Sequence, residues 1–200
     1  MKKVREKNEY EGNPVGLSKD TATAMAKELD RHLASFIVLY HQYHKHHWLV
    51  EGPQFRDLHL FFEEHYNELH AQYDAIAERL TVMGYCPTCH PANQLKIAYL
   101  EHEEEGEFRI REMLEKDMDD EKTIAVELRK SIKKALEHED FATKSLLEGI
   151  LLKTEDRCHH IEHFLGEDGL SIGLIAKPSD IMEDGEAEDA KAKAKKKAKA

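Results

Sequence analysis

Apolar residues recur every three or four positions from Ala22 through Met25, Ala26, Leu29, Leu33, Phe36, Ile37 and Tyr40. That spacing marks one stripe of an α-helix, and Ser18 stands where a capping hydroxyl belongs, so the pattern predicts a first helix over 19–48. His44 and His47 continue the stripe by steps of four and three, which aims both inward and presents His47 toward the next element. Gly52 and Pro53 interrupt the period, and a link this short predicts an antiparallel neighbour. The second helix carries Leu58, Phe62, Leu69, Tyr73, Ile76, Leu80 and Met83 and stops at Gly84.

Residues 85–105 are too many for a turn between antiparallel helices, and 95–100 predicts a short helix inside this crossover. A third long helix over 107–136 follows Leu114, Met118, Glu121, Ala125, Leu128, Ile132 and Ala135. A fourth, over 141–165, follows Leu147, Ile150, Thr154, Cys158 and Ile161. The expected fold is all-α, a four-helix bundle over 18–166 with a long crossover between its second and third helices. Residues 1–17, with Gly12, Pro14 and Gly16 and no sustained period, predict a mobile arm. Residues 167–200, acidic and then Lys-rich, cannot bury apolar area and predict a disordered tail.

Charge sharpens this division. The net charge is −11, yet 177–200 holds seven Lys against six acids, which leaves the body at −12. An acidic body repels nucleic acid and draws cations. No run approaches the roughly 18 apolar residues that span a bilayer, so the reading is a soluble cytoplasmic protein with no membrane partner. Three cysteines, Cys86, Cys89 and Cys158, do not make an extracellular disulfide framework.

The candidate chemistry lies in 40–79. His47, His59, Glu63, Asp74 and Glu78 fall at successive offsets of 12, 4, 11 and 4. On a helix, offsets of 4 and 11 both close nearly whole turns, so the last four share one face. Glu63 and Asp74 nevertheless stand about 16 Å apart along the axis, far beyond the roughly 2 to 2.5 Å of a metal bond. Two copies crossing antiparallel about a two-fold axis would bring the His59/Glu63 end of one to the Asp74/Glu78 end of the other. Mixed oxygen and imidazole donors suit Fe(II), Mn(II) or Zn(II).

This arrangement resembles the Dps family, the mini-ferritins, over 19–165. The resemblance rests on His47 before Trp48, on His59 with Glu63, and on Asp74 with Glu78 before Arg79, together with the adjoining HHW, VEGP and LH elements. Glu63 stands where many members have Asp. The wording of YHQYHKHHW and HHIEHFL leans toward archaeal, halophilic members. The resemblance implies a ferritin-like bundle whose short crossover helix lies at a dimer contact, and a dodecameric shell. It implies ferroxidase centres between subunits that oxidise iron with hydrogen peroxide or oxygen, and ferric mineral stored within, protecting DNA. Asp74 and Glu78 are then the foremost ligands, His47 and His59 come from the partner, and Glu63 holds a second metal or its water. Trp48 takes up stray oxidising equivalents. Zinc or manganese could substitute for iron. By the same resemblance, Glu139, Asp140 and Glu148 would line a cation-attracting three-fold pore.

Three further groups stand apart. Cys86-Pro-Thr-Cys89-His90 fits a haem attachment motif, half of a zinc site, a redox dithiol or two idle thiols. His159, His160 and His163, beside Glu162 and with His41, His44 and His46, make a second metal-capable cluster. Lys191, Lys193, Lys195, Lys196, Lys197 and Lys199 could neutralise DNA phosphates without reading bases. The rival to iron oxidation is therefore a nucleoid-structuring protein acting through this tail.

Overall fold

A computed structural model describes residues 2–166, and the tail beyond lies outside the described residues. The helices are α1 (Lys19–Leu49), α2 (Phe55–Val82), α3 (Pro91–Ile97), α4 (Ile110–Glu137) and α5 (Phe141–Phe164). Ser18 caps α1 as expected, its Oγ accepting from Thr21 N at 3.1 Å. Gly84 ends the second helix with φ +83°, a conformation open to glycine at no steric cost.

Side-chain pairings set the directions. His47 meets His59, and Tyr43 meets Phe62, so α1 and α2 run antiparallel. His32 reaches Ser131 while Gln42 reaches Asp117, so α1 and α4 are antiparallel as well. It follows that α2 and α4 are parallel, which is why the chain needs the crossover of 83–109 to return along the bundle. Arg129 to Glu155 and Arg157 to Glu121 place α5 antiparallel to α4. The core between them is apolar: Leu29, Phe36 and Leu39 from α1, Phe62, Leu69 and Ile76 from α2, Leu128 from α4, and Leu147 and Ile161 from α5 are buried.

Several expectations shift. The crossover helix lies at Pro91–Ile97 instead of 95–100, because Pro91 supplies a preset first turn and Leu95 faces solvent, 55% exposed. The third long helix starts at Ile110, three residues past the predicted 107. Tyr73, Ile132 and Cys158 are half-buried at the rim of the core. On α1 the inward line runs through Leu39, Gln42, Tyr43 and His46, all buried, while His44 and His47 lie half-buried on the flank toward α2. Residues 5–12 of the arm lie against the corner after α2, with Tyr10 packed on Tyr85 and Glu11 N donating to Gly84 O at 3.2 Å.

Candidate metal centre

The last turn of α1 and the second turn of α2 form one corner. There the imidazoles of His47 and His59 stack with ring centres 3.7 Å apart. Each Nδ1 lies 2.9 Å from the other residue's backbone carbonyl oxygen. A carbonyl only accepts, so each Nδ1 donates, and in the neutral imidazole each Nε2 then keeps a free lone pair. That tautomer offers Nε2 to a metal, and it is held by the same kind of backbone contact that orients ligating imidazoles. Phe55 covers His59 at 4.9 Å, and Tyr66 meets His47 edge-on at 5.4 Å.

Glu63 follows His59 by one turn and is half-buried, while Asp74 and Glu78 are exposed three and four turns further along α2. Arg79 turns inward, its Nη2 on Asp140 Oδ1 at 2.7 Å and its Nε on Thr143 Oγ1 at 2.8 Å, so it ties α2 to the start of α5. Among the described residues of one protomer, no three His, Cys, Asp or Glu side chains converge enough to hold an ion. The fold thus joins His47 to His59 and leaves the Asp74/Glu78 pair at a distance. Trp48 is 66% exposed and packs on His44 at 4.5 Å.

The remaining candidates divide. His159 and His163 approach to 3.1 Å between Nε2 atoms, and His160 lies 6.0 Å from the buried ring of His65. His41, His44 and His46 do not join them or one another in one cluster. His41 neighbours His102, His44 sits between Tyr66 and Trp48, and His46 is sealed inside the bundle. Of the three acids expected at a pore, Glu139 and Glu148 are exposed, Glu148 being bonded to Lys144 at 2.5 Å. Asp140 is buried, spent on Arg79 and on capping α5 through Thr143 N, because a helix start inside the protein needs its N–H groups satisfied. The six lysines of 191–199 lie outside the described residues.

Sequence reasoning did not foresee a polar layer inside the bundle. Gln42 Nε2 donates to Asp117 Oδ1 at 2.7 Å and Asp120 Oδ2 at 2.8 Å, and His46 Nδ1 lies 2.9 Å from Asp117 Oδ2. Arg157 donates to Glu121 at 2.5 Å and to Glu68 at 2.6 Å, and Tyr43 OH donates to Glu121 at 3.0 Å. Burial pushes the Glu121 carboxyl up, partly offset by Arg157. Burial pulls His46 down, but Asp117 and Glu103 outweigh it and hold the imidazole above its ordinary value. The acids of the interior therefore have protein partners. The available signal was Asp117 and Glu121 at helical spacing within an apolar stripe.

Comparison with known proteins places these features. A protein-family model described as a ferritin-like domain matches residues 26–170. The chain is 41% identical over 169 residues, 84% of its length and 96% of the relative's, to the nutrient stress-induced DNA-binding protein of a Synechococcus strain. It is 37% identical over 163 residues to the DNA protection during starvation protein of Halobacterium salinarum, covering 81% of this chain and 90% of that one. An archaeal Dps homologue of known structure from Halobacterium salinarum superposes with a TM-score of 0.82 at 35% identity, over 86% of this chain and 96% of that one. With a ferritin-like topology, matching relatives over most of its length and the HHW corner in place, this chain belongs to the Dps family of ferritin-like proteins.

Proposed function

We propose that the protein is a ferroxidase that takes Fe(II) as substrate at sites shared by two protomers, and that its assembly, a dodecamer by the family's pattern, stores the ferric product. The observation that carries this reading is the locked His47/His59 pair, each ring held through Nδ1 with its Nε2 outside that bond, His59 lying on the same α2 face as Asp74 and Glu78 while His47 joins it from α1. A two-fold partner supplies the carboxylate end that one chain cannot bring to its own imidazoles. The bundle interior, where ferritin-like di-iron proteins keep their metals, has its acids engaged by Arg157, Gln42, Tyr43 and His46, which supports a site on the outer face instead.

The chemistry follows from the donors. Anionic oxygens favour Fe(III) over Fe(II), because the harder, more highly charged ion gains more from them, so Asp74 and Glu78 ease the loss of an electron. Glu63, one turn from His59, holds a second, looser ion or orients its water. Two ferrous ions supply the two electrons that reduce hydrogen peroxide to water, and oxygen is the alternative acceptor. Trp48, beside His47 and exposed, takes up a stray oxidising equivalent. Zinc or manganese would fit the same donors without replacing the redox step.

The decisive experiment is peroxide-dependent iron turnover by assembled wild-type protein and by Asp74→Ala. The side chain is exposed, so folding is preserved to within about 0.5 kcal/mol. Turnover is expected to fall at least about tenfold, the lower end of what losing even a supporting group costs a metal site. Undiminished turnover would remove Asp74 from the site. A second reading, DNA compaction through the lysines of 191–199, is favoured by their composition and by the DNA-binding and DNA-protection names of the relatives.

A further inference from the structure

The loop between α2 and α3 carries Cys86-Pro-Thr-Cys89, two thiols that iron oxidation does not use. Both are free, Cys86 half-buried and Cys89 exposed, and residues 85–90 belong to no helix, so nothing regular holds the sulfurs apart. Their surroundings are cationic. Arg5 Nη2 donates to Cys86 Sγ at 3.1 Å. Cys86 also lines a cleft of about 500 Å³ with four cations, Lys7, Lys27, Arg31 and Lys96, and one acid, Asp30. Arg5, Lys7 and Arg31 have acidic partners in Glu11, Asp30 and Glu28, yet in a chain of net charge −11 cations still outnumber acids along this cleft, and partly exposed sulfur beside cations is where reactive cysteines are found.

The N-terminal arm is fastened to this loop. Arg5 Nη1 donates to Gly84 O at 3.3 Å, and Glu11 N donates to the same oxygen at 3.2 Å. Lys7 reaches Asp30 at 2.7 Å, and Asp30 in turn accepts from Thr88 N at 2.8 Å and Thr88 Oγ1 at 2.6 Å. Thr88 is the buried residue between the two cysteines. A side chain at Gly84 would run into the backbone carbonyl of Gly12, so the arm's backbone lies directly on the corner. Among the described residues, every polar bond from 2–11 to residues beyond the arm ends on the loop, on its Gly84 corner or on the carboxylate that Thr88 holds.

We propose that Cys86 and Cys89 form a reversible dithiol–disulfide pair, oxidised by a hydroperoxide, whose closure releases the N-terminal arm. The Cys86 sulfur attacks the O–O bond. An S–O bond forms, the O–O bond breaks, and the departing oxygen takes the thiol proton and leaves as water or an alcohol. The Cys89 sulfur then displaces the hydroxyl from Cys86, so that the S–S bond forms, the S–O bond breaks, and water carries off the second thiol's proton. Two electrons pass from the thiols to the peroxide. Closure moves Thr88, which loosens Asp30 and with it Lys7, while the disulfide sulfur is a poorer acceptor for Arg5. Cys158 is a built-in control, because burial pushes its thiol up to about 11 and keeps it inert.

The test treats full-length, assembled protein with hydrogen peroxide in excess chelator, so that iron chemistry does not contribute. Thiols are then blocked, and both unreduced peptides and amide exchange of residues 5–12 are measured by mass spectrometry. The expected result is a Cys86–Cys89 disulfide within one chain, untouched Cys158, and arm exchange accelerated at least about tenfold and reversed by dithiothreitol. Cys89→Ser, at an exposed position, should leave the arm protected after peroxide. A pair that stays reduced, a disulfide that links two chains, a disulfide without arm release, or release in Cys89→Ser would each overturn the proposal. None of these readouts involves iron turnover, so failure here is distinguishable from failure of the ferroxidase reading.

Discussion

Three neighbouring histidines on α1 meet three fates. His44 sits between aromatic rings, His46 is sealed between Asp117 and Glu103, and only His47 is locked with a nitrogen free. Burial, not sequence position, separates the roles. The same principle makes His32 a pH-sensitive element. Its Nδ1 lies 2.8 Å from Tyr99 OH and its Nε2 lies 2.9 Å from Ser131 Oγ, and burial pulls its pKa from 6.5 to about 4. The folded state therefore disfavours the imidazolium. Its contribution is full above 6.5 and is lost as the pH falls through about 4, a change of roughly 3 kcal/mol over that window. His46, held above its ordinary value, works with the opposite sign: its contribution is full below 6.5 and fades as the pH rises. Urea midpoints at pH 7 and pH 4 should show His32→Gln losing about 3 kcal/mol less on acidification than wild type. Equal losses would show that His32 does not titrate on unfolding.

Periodicity marked the long helices to within a few residues, because a stripe of apolar side chains is a local property of each segment. It misplaced the short crossover helix, where a preset proline turn outweighed the apolar count, and it aimed the wrong α1 histidines inward. A stripe resolves a face but not which of two adjacent flanks meets a neighbour. The joint between α4 and α5 carries a local strain. Glu139 takes φ +57°, a left-handed conformation that glycine adopts without penalty. Glu139→Gly should raise stability by about 1 kcal/mol, read as an upward shift of Tm; a fall would mean that the carboxylate contributes more than the backbone costs. Inside the bundle, Arg157 is buried and neutralises Glu121. Arg157→Met leaves that carboxylate without its cation and should cost about 3 to 5 kcal/mol in urea unfolding.

At the scale of the molecule, charge divides the sequence into an acidic body and a Lys-rich end. The acidic body suits cations, and the lysines of 191–199 suit phosphates. A chain ending at residue 189 should lose DNA retention in a gel-shift assay while oxidising iron at the wild-type rate. Loss of oxidation as well would contradict that separation. The ferroxidase reading also requires assembly, so protomers held apart by interface substitutions should oxidise iron at least about tenfold more slowly than the shell, because each keeps only half a donor set.

Helix number, the crossover and the ladder of metal-binding residue types were all readable along the chain, since periodicity and donor chemistry are properties of residues close in sequence. The separation of Asp74 from His59 could be read there too, because helical rise alone sets it. Three-dimensional packing alone settled the rest: the reciprocal bonds that orient His47 and His59, the burial that consumes Asp140 and His46, and the partnering of Glu121 by Arg157. These join residues from different helices, and no local pattern states which side chains will meet when the helices close on one another.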